Sequence, residues 1–185
     1  MSIDSLHERS VGAFTRRVQA IQRGEWELPT PCTEWSVRDL VNHVAYGDLW
    51  VRPLLAGKTL EEVGDRFEGD VLGDDPVAGY ERAADDALLA VSQADLGGKV
   101  HTSGGIIDAT EYLGQRVMDN LVHAWDLARA IGASEDFDPE LVTFVLKMFE
   151  PHGGGPPSMF APPVEVPDDG GDELTKLLAL TGRRM

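Results

Sequence analysis

Cysteine is nearly absent. Cys32 is the only one in 185 residues, which excludes an intrachain disulfide framework and a cysteine-based zinc finger. Any bound metal must therefore draw on His, Asp or Glu. Positive charge is scarce as well: 16 Lys and Arg stand against 32 Asp and Glu, for a formal charge of -16. A chain this acidic has no electrostatic grip on nucleic acid or on an anionic membrane. No apolar run approaches the roughly 18 residues that a membrane span requires. The opening Met1-Ser2-Ile3-Asp4-Ser5-Leu6-His7-Glu8 lacks the basic-then-apolar order of a signal peptide, so a cytoplasmic location is expected. What is present, 42% hydrophobic residues with 26% charged ones and four Trp, suits one soluble domain with a real core.

Apolar periodicity predicts four long helices. Leu6, Val11, Phe14, Val18 and Ile21 mark the first, over 4–22. Two prolines in Trp26–Cys32 break the chain before Ser36, which can cap a second helix over 36–55 with Asp39 three residues on. A polar crossover follows, with a turn near Leu60 to Val63. Asp75-Pro76 opens a third helix over 76–96. Residues 99–107 read as a brief extended piece broken by Gly104-Gly105, and Asp108 to Glu111 has capping-box order at the head of a fourth helix, 109–131. That helix is apolar around most of its circumference and should be the central one. A shorter helix is expected from Asp138 to Phe149, a Pro/Gly-rich stretch over 151–171, and a last short helix from Asp172 to Leu180. The organisation expected is a bundle over 1–150 and, over 151–185, an irregular tail with a terminal helix packed on it.

Two histidines fall inside apolar helices. Asp119 and His123, four apart, project from one face of the fourth helix, a spacing at which two side chains can share a metal ion. His43 lies mid-way along the second. If those helices are neighbours, His43, Asp119 and His123 supply three ligands and leave open positions, the arrangement of a catalytic metal site. Alternatives stay open at this level. Each His could be a core residue bonded to a carbonyl, with Asp119 paired to Arg116. Asp39 or Asp126 could replace Asp119, although second-shell or surface roles suit them better. Cys32, ahead of a helix N-terminus, could be a nucleophile, but a small buried apolar role is the simpler expectation. Trp26, Trp35, Trp50 and Trp125 read as core or interface anchors, Arg52 and Arg129 as solvated, and Gly153-Gly154-Gly155 as no phosphate loop.

The run Thr30-Pro31-Cys32-Thr33-Glu34-Trp35-Ser36-Val37-Arg38-Asp39-Leu40-Val41-Asn42-His43-Val44, together with Leu121-Val122-His123-Ala124-Trp125-Asp126-Leu127-Ala128-Arg129-Ala130, resembles the mycothiol-dependent maleylpyruvate isomerase N-terminal family of the DinB-like superfamily. The ending, from Phe160-Ala161-Pro162-Pro163-Val164 to Leu177-Leu178-Ala179-Leu180-Thr181-Gly182-Arg183, is similar to that of small actinobacterial members. The resemblance implies an all-α, DinB-like four-helix bundle in up-up-down-down order. It also implies a divalent metal, usually Zn2+, with Ni2+ or Fe2+ as alternatives, held at positions matching His43, Asp119 and His123. The isomerase carries Glu where this chain has Asp119, and a second C-terminal domain for which this tail is too short.

The resulting expectation is a metal-dependent transferase or isomerase working with a small thiol such as mycothiol on a small electrophilic substrate, as a monomer or homodimer. The alternative is a non-enzymatic metal-binding or protein-interaction module. Hydrolysis by metal-activated water ranks third, because no Glu is placed to act as its base.

Overall fold

Ser36 begins α2 (Val37–Leu55) as its sequence suggests: its Oγ accepts the Asp39 N–H at 3.2 Å while the Asp39 carboxylate accepts the Ser36 N–H at 3.0 Å. The coordinates are a computed structural model describing residues 2–155, 160–166 and 170–184. They divide into two compact units, Met1–Ser134 and Glu135–Met185. The first unit also contains α1 (Ile3–Val18), a single-turn α3 (Leu60–Val63), α4 (Pro76–Gln93) and α5 (Ala109–Ile131). Asp75 caps α4 through the Ala78 N–H ahead of Pro76, and α5 stops at Gly132, whose φ of 66° is left-handed.

Among the long helices, α1 packs on α5 and α4, and α2 packs on α4 and α5, which closes a ring of four. The apolar stripes of all four meet inside it. α5 is buried on most sides, with Leu113, Val117, Leu121, Ala124, Leu127 and Ala128 at or near zero exposure. The all-α expectation therefore holds, with a minor addition: 99–108 is an antiparallel hairpin, β1 (Lys99–Thr102) on β2 (Gly105–Asp108), turning through Gly105 at φ 118°.

Three local expectations need correction. α1 ends at Val18 rather than near 22, because Ala20 and Ile21 donate to the carbonyls of Arg17 and Val18, a tighter i to i−3 winding. α4 ends at Gln93, where Ala94 turns to extended geometry at ψ 150°. Asp108 makes no side-chain cap on α5; its carboxylate accepts from Lys99 Nζ at 2.8 Å, across the mouth of the hairpin.

In the second unit, α6 (Pro139–Phe149) and α7 (Glu173–Leu180) start on the caps Asp138 and Asp172 and pack on each other. The Phe149 and Phe160 rings meet edge to face at 5.3 Å. The parts of the expected Pro/Gly-rich stretch at 156–159 and 167–169 lie outside the described residues. Among the described residues no helix is long and apolar enough to cross a membrane.

Candidate metal centre

The segment ahead of α2 is a tied turn. Leu28 and Trp26 carbonyls accept the N–H groups of Val37 and Arg38, and within the turn Trp35 N–H donates to Cys32 O at 3.0 Å. Glu34 closes it at φ 73°, the one non-glycine residue with positive φ among those described. That conformation costs a Glu roughly 1 kcal/mol or more, and its effect is to fold Cys32 and Trp35 back onto α5. The Trp35 ring lies 4.8 Å from that of His43 and 5.9 Å from that of His123.

α2 and α5 pack together, and this brings His43, Asp119 and His123 to one place, each offering a ligand atom within 4.8 Å of the others. Asp119 Oδ1 lies 3.4 Å from Nε2 of His43 and 3.4 Å from Nε2 of His123. Those separations are long for strong ion pairs. They match the edge of a tetrahedral site, since ligand atoms about 2.0–2.1 Å from a zinc ion lie about 3.3–3.4 Å apart. Two imidazoles and a carboxylate are donors that suit a divalent ion, and the two edges at Asp119 have the spacing of such a site. His43 is the accessible member, its side chain 39% exposed against 13% for Asp119 and 11% for His123.

The other nitrogen of His123 is also engaged. Nδ1 lies 3.0 Å from Oδ2 of the fully buried Asp126, which also accepts from Cys32 Sγ at 3.2 Å. A carboxylate accepting from Nδ1 fixes the ring and leaves Nε2 for a metal. Burial disfavours charge on both Asp119 and His123. Even so, the mutual attraction of the pair, aided by Arg116 on the Asp119 side, holds Asp119 well below the carboxylate range and His123 well above that of imidazole.

Behind Asp119 lies a buried polar layer. The Arg116 guanidinium donates from Nη1 to Asp119 Oδ2 at 2.8 Å and from Nη2 to Asp48 Oδ1 at 2.9 Å. Farther in, His7 is fully buried with neither ring nitrogen hydrogen-bonded among the described residues. Burial, aided by the charge of Arg116, lowers its pKa to about 4. His7 therefore stays neutral when folded, while the unfolded chain takes up a proton below about 6.5. The stability that the neutral His7 secures is complete above pH 6.5 and falls from there towards pH 4, a loss of about 3 kcal/mol. Urea unfolding at pH 7 and pH 4.5 checks this: His7→Leu should lose a large part of the difference.

The structure brings together all three residues singled out as ligands. Asp126 supports His123 from behind, as a second-shell residue would, and Asp39 is occupied in capping α2. Arg116 does pair with Asp119, yet that pairing leaves Oδ1 facing the imidazoles, so the two readings coexist. Cys32 is neither a simple apolar filler nor placed as a lone nucleophile, because it sits against Asp126. Trp35, expected as an anchor, covers the imidazoles. Asp48 and Gly47 were not anticipated, although an Asp and a Gly side by side inside an apolar helix were a visible signal.

Residues 7–128 match the family model for the mycothiol maleylpyruvate isomerase N-terminal domain. Over 96% of its length the chain is 32% identical to two uncharacterized proteins of Mycobacterium tuberculosis, from strains H37Rv and CDC 1551, covering 97% of each. In fold it is similar to the crystal structure of the mycothiol-dependent maleylpyruvate isomerase, with a TM-score of 0.63 at 18% identity over 83% of this chain and 72% of that one. A histidine-to-alanine mutant of that enzyme gives the same TM-score at 17% identity, with the same coverage. With two thirds of its length inside the family model and a full-length likeness to the mycobacterial proteins, the chain belongs to the mycothiol maleylpyruvate isomerase N-terminal domain family.

Proposed function

We propose that the protein is a metal-dependent transferase that uses a small thiol such as mycothiol, with His43, Asp119 and His123 holding a divalent ion, Zn2+ before Ni2+ or Fe2+. The observation that carries this is the convergence of two imidazoles and a carboxylate, their ligand atoms all within 4.8 Å of one another, in a chain whose family is named for a mycothiol-dependent enzyme. A divalent ion there would supply the positive charge that lets a thiol ionise at neutral pH. The chain's own residues do the rest. Asp126 orients His123, Trp35 lies against both imidazole rings, and the more exposed His43 faces the side from which a substrate arrives.

That side is a groove of about 390 Å3 lined by Glu34, Trp35, Asp39, Asn42, His43 and Tyr46. It offers two aromatic faces, two carboxylates and the His43 imidazole, with no Lys or Arg in its lining. Such a groove favours an uncharged or cationic electrophile, whereas a dicarboxylate such as maleylpyruvate would meet Glu34 and Asp39. The reading is therefore a transferase acting on other electrophiles.

The test mixes zinc-loaded protein with mycothiol and either a monohalobimane or a haloaromatic electrophile, from which the thiolate displaces halide. A rate that requires both metal and thiol and disappears in His123→Ala is expected. Absence of that rate across several thiols and electrophiles, with a stable protein partner recovered instead, would favour the interaction-module alternative.

A further inference from the structure

α2 carries Gly47 in its interior, where glycine costs about 1 kcal/mol relative to alanine. The reason lies across the helix interface. A Cβ at Gly47 would stand 2.2 Å from Arg116 Nη1, 2.6 Å from Cζ and 2.8 Å from Nη2. The guanidinium is thus laid on the bare backbone of α2, where Nη2 also reaches the Val44 carbonyl at 3.3 Å. A free arginine head could step aside from a methyl group. This one is pinned at both ends, to Asp119 and to the fully buried Asp48, with its side chain only 9% exposed.

The consequence falls on Asp119. With Oδ2 held by Arg116, the carboxylate cannot rotate and presents Oδ1 alone to the two imidazole nitrogens. We propose that Arg116, seated on Gly47 and balanced by Asp48, is the positioning group that makes Asp119 a one-oxygen ligand; this rests on the metal reading above. Asp48 has a separate part in it. Its buried carboxyl accepts from Nη2 at 2.9 Å and so holds the far side of the guanidinium while Nη1 stays on Asp119. Gly47, Asp48 and Arg116 touch neither metal nor substrate. They fix how one ligand points.

The test uses Gly47→Ala and Arg116→Lys in the full chain, with far-UV circular dichroism confirming the fold. In the metal-free protein, nitrogen-15 NMR of the assigned His43 and His123 rings reads whether Asp119 still faces them. Both rings should shift in both variants. Titration with Co2+ then reads the site. The variants should bind about 10–100-fold more weakly, with weaker visible absorption as the freed carboxylate adds its second oxygen. Folded variants with parental ring signals, or with parental Co2+ affinity and spectrum, would overturn the proposal. If the parent takes up no Co2+, the metal reading fails, while the ring signals alone still decide whether Arg116 aims Asp119. If Gly47→Ala does not fold, Arg116→Lys decides on both measurements.

Discussion

Arg116→Leu is expected to cost the folded protein about 3–5 kcal/mol, the usual consequence of leaving a buried charge without its partner. The guanidinium is the cation that Asp48 and Asp119 share, and Asp48 has no exposure through which water could take over. Burial already drives the Asp48 carboxyl towards its protonated form, with Arg116 as the opposing influence. Removing Arg116 leaves Asp48 to be protonated or to draw water into the core. The double variant Arg116→Leu/Asp48→Leu should recover a substantial part of the loss, because the cost lies in the orphaned charge more than in the missing pair. Chemical denaturation of parent, single and double variants measures both. A single variant within 1 kcal/mol of the parent would show that the pair is not electrostatically important.

Asp126→Ala should weaken zinc binding by about 10–100-fold while leaving all three ligands in place. Without the carboxylate on Nδ1, the His123 ring can rotate, and Nε2 is no longer committed to the side facing Asp119. Cys32→Ser distinguishes two accounts of the neighbouring thiol. Serine keeps a donor to the same Asp126 oxygen that Cys32 Sγ contacts at 3.2 Å, so zinc affinity and thiol-dependent turnover should stay close to parental values. If Cys32 were the nucleophile, turnover would vanish in that variant with zinc binding unchanged. Competition of zinc with a chromophoric chelator supplies the affinities.

The meeting of His43, Asp119 and His123 was legible because ionisable side chains in apolar helices are conspicuous and a spacing of four places two of them on one face, while the family resemblance singled them out as a metal-ligand set. The contact of Asp126 with His123 follows from the same helical geometry, at a spacing of three. The bundle was legible from periodicity alone, since each long stripe needs an apolar partner. What the pattern did not carry was information that lives across an interface. Gly47 reads as a flaw in a helix until the guanidinium of a residue 69 positions away is seen to occupy its missing Cβ. Trp35 reads as an anchor because its place over the imidazoles depends on one left-handed residue, Glu34. The cap expected at Asp108 failed because Lys99, brought opposite by the hairpin register, competes for the same carboxylate.

Elemental analysis of protein purified without a histidine tag tests the central claim most directly. Close to one equivalent of a divalent metal per chain is expected, Zn2+ before Ni2+ or Fe2+. That metal should be lost from folded His43→Ala/His123→Ala protein and retained in a variant of a histidine outside the proposed ligand set, such as His101→Ala. Metal content that is unchanged when both imidazoles are removed, or a folded parent that takes up no divalent ion when offered it, would rule out a metal site at His43, Asp119 and His123.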